Sequence, residues 1–217
     1  MLPPLIECHG DSTTWGAVFD RLDLARNRAF YSQTPVPPIR TCEQLLRNRF
    51  GALFCFNLGV NQARSADLLG DGSTWAARMK TSPAAVVCLN LGMNDVRDGL
   101  SALDYSGRMS QLVDGALRAG KWVVVEAPNP VSDGKLPYGE ALVASRLDAL
   151  VEALLSVLQS RPVSVCDHYH DVQKIAGWAD LVPVDVHPNA QLYAIRGTAL
   201  GKKLIPIVSI GRAGVKA

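Results

Sequence analysis

The sequence predicts a doubly wound α/β fold, a three-layer α/β/α sandwich around a five-stranded, mostly parallel sheet. Three observations predict it. Short apolar runs recur at residues 5–8, 52–57, 84–91, 122–127 and 163–167. Three of these runs are nearly continuous in apolar residues, as strands covered on both faces are. Longer segments with helical spacing lie between them, and such alternation favours parallel strands joined by crossover helices. At 217 residues the chain is expected to form one domain over 1–217.

The elements follow in order. The first run leads into Gly10-Asp11-Ser12-Thr13-Thr14-Trp15-Gly16, a turn placed to open a helix. Ala17-Val18-Phe19-Asp20-Arg21-Leu22 has helical spacing and is expected to continue that helix. Thr34-Pro35-Val36-Pro37-Pro38 reads as a rigid surface loop. Thr41-Cys42-Glu43-Gln44 resembles a capping box opening a short helix that runs through Arg49 and ends at Gly51. Gly70-Asp71-Gly72-Ser73-Thr74-Trp75 imitates the first turn but follows no strand, so it reads as a turn and helix cap. Helical patterns cover 105–119 and 137–160, and a last helix starts after His187-Pro188-Asn189 and runs to about Leu204.

Composition narrows the function classes. With 22 basic and 20 acidic residues the net charge is +2, so no strong field draws nucleic acid or an anionic membrane. No apolar run is long enough for a membrane span. The first residues, Met1-Leu2-Pro3-Pro4, carry no basic segment followed by a long apolar one, so a cytoplasmic location is expected. Cys8, Cys42, Cys55, Cys88 and Cys166 form no Cys-x-x-Cys pair and read as small buried thiols in a reducing compartment. The spacing of His168 and His170 matches no standard zinc site, and no metal is expected. Neither a P-loop nor a Gly-x-Gly-x-x-Gly turn is present, and no cofactor is expected. Oligomeric state is not legible.

The turns that follow the strands carry the chemistry. After the first strand comes Gly10-Asp11-Ser12, after the second Asn57-Leu58-Gly59-Val60-Asn61-Gln62, and after the third Gly92-Met93-Asn94-Asp95. After the fifth strand and a short helical piece comes Asp185-Val186-His187-Pro188-Asn189. In a parallel sheet these turns gather at the edge where ligands bind. They bring a serine, an asparagine amide, glycine-bearing backbone and a histidine, which are the parts needed for acyl transfer. Taken alone, Ser12 or Thr13 reads as a helix cap, and a further role for Ser12 depends on these partners.

These turns resemble the blocks of the SGNH (GDSL-type) hydrolase family, in the family's order and over most of the chain. The resemblance implies its flavodoxin-like α/β/α fold and a serine esterase or acylhydrolase. It implies Ser12 as nucleophile, Asn94 as a side-chain oxyanion donor and His187 as general base. Two positions depart from the pattern. Gln62 stands where the family's second block has a glycine that donates a backbone N–H, and Gly59 is the fallback donor. The family's aspartate three residues before histidine is replaced by Val184, which leaves Asp185, two residues before His187, to orient the imidazole. The alternatives for Asp185 are a helix cap, with a backbone carbonyl or Asp180 orienting the histidine. Asp11 is expected to order the nucleophile turn and Asp95 to be structural. Trp15 and Arg97 are weaker candidates for substrate contact. His9 reads as a strand residue beside the nucleophile.

No Gly-x-Ser-x-Gly elbow occurs, which argues against the ordinary α/β-hydrolase arrangement. The expected activity is hydrolysis of a short, acetyl-type ester of a carbohydrate or other small molecule, through an acyl-enzyme. An acyltransferase working on a sugar hydroxyl, and a binding module with weakened catalysis, are the alternatives.

Overall fold

The computed structural model describes residues 4–23, 28–71, 73–131, 142–183 and 186–213. In chain order these form β1 (Leu5–Gly10), α1 (Ser12–Trp15), β2 (Ala17–Asp23), β3 (Arg28–Gln33), α2 (Pro38–Phe50), β4 (Phe54–Gly59), α3 (Ser65–Leu69), α4 (Ser73–Thr81), β5 (Val86–Asn90), α5 (Met93–Arg97), α6 (Ala102–Arg118), β6 (Trp122–Glu126), α7 (Leu142–Leu158), β7 (Ser164–Cys166), α8 (His168–Gln173), a 3-10 turn at Trp178–Leu181, and α9 (Ala190–Ala213). Five strands pair in the order β4-β1-β5-β6-β7, all parallel. That is the flavodoxin-like order, and its switch point lies between β1 and β5, where a doubly wound sheet opens its crevice. The five apolar runs of the sequence are these five strands.

Side chains leave the sheet alternately on its two faces. Val87, Leu89, Val123 and Val125 join Trp75, Met79, Met109, Leu112, Leu147 and Leu154 in one core, beneath α4, α6 and α7. Val86, Cys88 and Val124 join Ile6, Cys8, Ile39, Leu46, Leu200 and Leu204 in the other, beneath α2 and α9. Every residue of β5 is buried, which is why its apolar run shows no polar alternation. All five cysteines are free thiols. A hydrogen bond with Cys88, together with burial, pushes the Cys8 thiol well up, away from a reactive thiolate.

Three sequence expectations are corrected. Residues 17–22 are not helix: they are β2, paired antiparallel with β3 in a separate hairpin. Gly16 ends α1 in the left-handed conformation, φ 92°. The register shift between Phe19 and Arg21 breaks the period-two pattern that would have marked the strand. Next, α2 starts at Pro38, not Thr41, because a proline in the first turn supplies a helical φ and lacks only an N–H that has no partner there. Finally, α9 runs past Leu204 to Ala213 with Pro206 inside it. Ile207 and Val208 stay buried against α2 and the sheet, and that burial outweighs the lost backbone bond. Of the helical pattern at 137–160, residues 142–158 are α7 and 137–141 lie outside the described residues. Among the described residues no helix is long and apolar enough to cross a membrane.

Candidate active site

The site begins where β1 stops. A Cβ on Gly10 would lie 2.0 Å from Thr14 Oγ1 and 2.3 Å from the Asn90 carbonyl oxygen, so only glycine lets α1 start this close to the sheet. The Asp11 N–H donates to that same carbonyl at 3.2 Å. Asp11 then caps α1: its Oδ1 accepts from the Thr13 N–H and the Thr13 hydroxyl, both at 2.8 Å. Burial pushes the Asp11 carboxyl up, against those hydrogen bonds and the nearby Arg196 and His187. Because Asp11 is the cap, the Ser12 hydroxyl has no capping duty. Ser12 is the first helical residue, and its N–H is among the donors a helix start leaves unpaired.

Ser12 Oγ lies 2.8 Å from His187 Nε2, between residues 175 apart in sequence. Both are buried. With the serine hydroxyl donating, the imidazole proton must sit on Nδ1, the tautomer a general base needs. His187 stands in the turn before α9, which Asn189 caps by accepting the Leu192 N–H at 3.0 Å. The Asn189 N–H also donates to the Leu181 carbonyl at 2.8 Å. Val184 and Asp185 lie outside the described residues, and so does the expectation that Asp185 orients the imidazole.

The oxyanion side is assembled from two more turns. Gly92, at φ 125°, turns the chain from β5 into α5 and brings Asn94 to the sheet edge. Asn94 is buried, and its Nδ2 donates to the Ala63 carbonyl at 3.0 Å, which leaves the second amide hydrogen for an oxyanion. Asp95 accepts from the backbone and hydroxyl of Ser65, as its structural reading expects, and so ties α5 to α3. The intervening turn is closed by the Ala63 N–H donating to the Val60 carbonyl at 3.1 Å. Gln62 is its third residue, at φ 65°, and among the described residues it is the one non-glycine with positive φ. That is the conformation a glycine would adopt without strain. The residue is glutamine, but its backbone takes a conformation that favours glycine.

Gly59, the fallback donor, is corrected. Its N–H donates to Asn57 Oδ1 at 3.0 Å. A Cβ there would lie 2.4 Å from the Trp15 nitrogen. Its small size serves the packing of α1 on β4. Trp15 is half-buried, and its carbonyl accepts from Gln33 Nε2 at 2.8 Å, which joins the nucleophile turn to the hairpin. The structure brings Arg97 to the site: Gln62, Asn94, Arg97, Arg64 and Asp98 line one polar cleft of about 260 Å³. A more apolar recess of about 440 Å³, with Leu58, Leu68 and Leu91 in its walls, shares Gln62 with that cleft.

Three residues near this site have no signal in the sequence reading. Arg64 pairs with Asp98 across the cleft. Tyr31 of β3 lays its ring against His187, with centroids 4.6 Å apart, and reading β2 as helix hides that neighbour. Asn129 follows β6 and donates to the Val186 carbonyl at 3.2 Å. Its turn sits at the same sheet edge as the other four, so equal attention to every strand end would have found it. The other histidines stay structural. His9 bonds Glu7 at 3.0 Å and meets Trp75 edge-on. His168 bonds Glu126 at 2.8 Å, and His170 lies between Asp167 and Glu152. Asp71 caps α4, accepting the Thr74 N–H at 2.9 Å, as its turn suggested.

Comparison with known proteins bears on the family and the fold. The sequence model of the GDSL-like lipase/acylhydrolase family matches residues 8–195. A lipase/acylhydrolase from Enterococcus faecalis has the same fold, with TM-score 0.71 at 16% identity over 93% of this chain and 95% of that one. A carbohydrate esterase family 3 protein from Talaromyces cellulolyticus superposes with TM-score 0.69 at 17% identity, over 95% and 98% of the two chains. An acetylxylan esterase from Geobacillus stearothermophilus gives 0.66 at 13% identity, over 93% and 94%. No curated protein matches the sequence significantly. The family match spans most of the chain and the sheet order agrees with it, so the chain belongs to the GDSL-like lipase/acylhydrolase family, whose members are ester-hydrolysing enzymes.

Proposed function

We propose that the protein is a serine esterase that removes short acyl groups from a carbohydrate or other small polar alcohol through an acyl-enzyme. The observation that carries this reading is the 2.8 Å contact between Ser12 Oγ and His187 Nε2 at a buried helix start. Nε2 takes the hydroxyl proton as Oγ attacks the ester carbonyl. The carbonyl oxygen gains the negative charge and is held by the N–H groups of Ser12 and Gln62 and by Asn94 Nδ2. The tetrahedral intermediate collapses, the ester C–O bond breaks, and His187 returns the proton to the leaving alcohol. Water then attacks the acyl-Ser12 ester with His187 again as base, which releases the acid and restores the hydroxyl.

The polar cleft beside Asn94, lined by Arg64, Arg97 and Asp98, suits a hydrogen-bonding alcohol or a small acyl group better than a long chain. Structural neighbours described as acetylxylan and carbohydrate esterases support the same substrate class. Ser12→Ala should abolish turnover of p-nitrophenyl acetate and labelling by a fluorophosphonate, and undiminished turnover would sink the mechanism. A series of acetyl, butyryl and octanoyl esters tests the acyl group. Octanoyl preference would reject the short-acyl reading and make the apolar recess the acyl site.

A further inference from the structure

Asn129 is fully buried in the turn after β6. Its Nδ2 donates to the carbonyls of Pro130 at 3.1 Å and Val186 at 3.2 Å. Its Oδ1 accepts from Arg196 Nη1 at 3.2 Å. Arg196, on α9, is also fully buried, with Nη2 4.0 Å from Glu126 Oε2. Glu126 is held in turn by His168 at 2.8 Å. Among the described residues the Asn129 amide oxygen is the one hydrogen-bond acceptor this buried guanidinium reaches, Nε and Nη2 having none, so Arg196 and Asn129 hold each other in place. Asn129 reaches across 57 residues of sequence to hold the one carbonyl that directly precedes His187.

We infer that Asn129, clamped by Arg196, is the positioning residue that aims His187 at Ser12. The inference rests on the Ser12–His187 reading of the site. A general base works only within hydrogen-bond reach of its proton. Fixing the Val186 carbonyl fixes the peptide plane from which the His187 backbone leaves. The position demands asparagine: it must accept from a cation on one side and donate to carbonyls on the other, and among side chains this short only an amide does both in a planar fork. An aspartate would satisfy Arg196 and leave the Val186 carbonyl without its donor.

Asn129→Asp is therefore the test, read by turnover of p-nitrophenyl acetate and by the rate of fluorophosphonate labelling. We expect kcat and the labelling rate to fall together by on the order of 10²-fold, with KM within about threefold of wild type. Leu112→Ala, a truncation in the core beneath α4, α6 and α7, should lower the melting temperature and leave kcat unchanged well below its transition. A folded N129D enzyme whose kcat stays within about twofold of wild type overturns the proposal, as does an equal loss of kcat in L112A. If N129D does not fold, Asn129→Ser, neutral and too short to reach Val186, carries the same expectation and the same refutation. Turnover surviving in Ser12→Ala would instead reject the underlying reading.

Discussion

Gln62 holds a left-handed backbone at φ 65° in the turn whose N–H is proposed to meet the oxyanion. A left-handed conformation costs a residue with a Cβ about 1–2 kcal/mol. Gln62→Gly removes that cost, while glycine's freedom in the unfolded chain takes back about 0.4–1 kcal/mol. The net stabilisation is roughly 0–1.5 kcal/mol. At about 2–4 °C per kcal/mol for a chain of this size, the melting temperature should rise by up to about 5 °C. The N–H survives, so kcat on p-nitrophenyl acetate should stay within about threefold of wild type. Gln62→Pro removes the N–H and forces φ towards −65°, and kcat should drop by about 10²–10³-fold. Thermal melts and steady-state kinetics on the two variants decide the matter. If Q62G melts lower than wild type, the turn is not strained. A tenfold loss of kcat in Q62G would mean that the side chain, and not the backbone, is what the site uses.

Two further outcomes are expected. Asn94→Ala removes the amide that donates to Ala63 and that we propose holds the oxyanion, so kcat should fall about 10²–10³-fold, or about 2.7–4 kcal/mol, with little change in KM; a kcat near wild type would remove Asn94 from the reaction. Burial holds the His168 imidazole below its ordinary value of 6.5, against the hydrogen bond it makes to Glu126, and burial lowers His9 in the same way. Between the folded and unfolded values the unfolded chain binds more protons, so stability is complete above pH 6.5 and declines as the pH falls below it. His168→Gln keeps a donor for Glu126 and should flatten that decline in melting temperature between about pH 7.5 and 5.5; an unchanged slope would show that His168 does not carry it.

The sheet was legible because burial on both faces writes an apolar run into its central strands, β5 and β6 most clearly. The Gly10-Asp11-Ser12 turn was legible because Gly10 and Asp11 answer local demands, close approach and capping, which leave the Ser12 hydroxyl outside the cap. Local demands do not reveal pairing partners. Residues 17–22 carry a spacing that fits a helix. They are a strand because β3 lies alongside and Gly16 has already ended the helix. Tyr31 next to His187 follows from that pairing and was hidden with it.

By itself the sequence determined the fold class, the order of the catalytic turns, and the residue types able to serve as nucleophile, base and oxyanion donor. Those properties are set by periodicity and by chemistry within a few neighbouring residues. Only the tertiary structure decided that Ser12 and His187, 175 residues apart, meet at 2.8 Å. It alone showed Gln62 adopting a glycine's backbone, Gly59 committed to packing, and Asn129 reaching the Val186 carbonyl. The Ser12–His187 and Asn129–Val186 contacts depend on where an open parallel sheet brings distant turns together, and no local pattern encodes a contact whose partner lies tens of residues away.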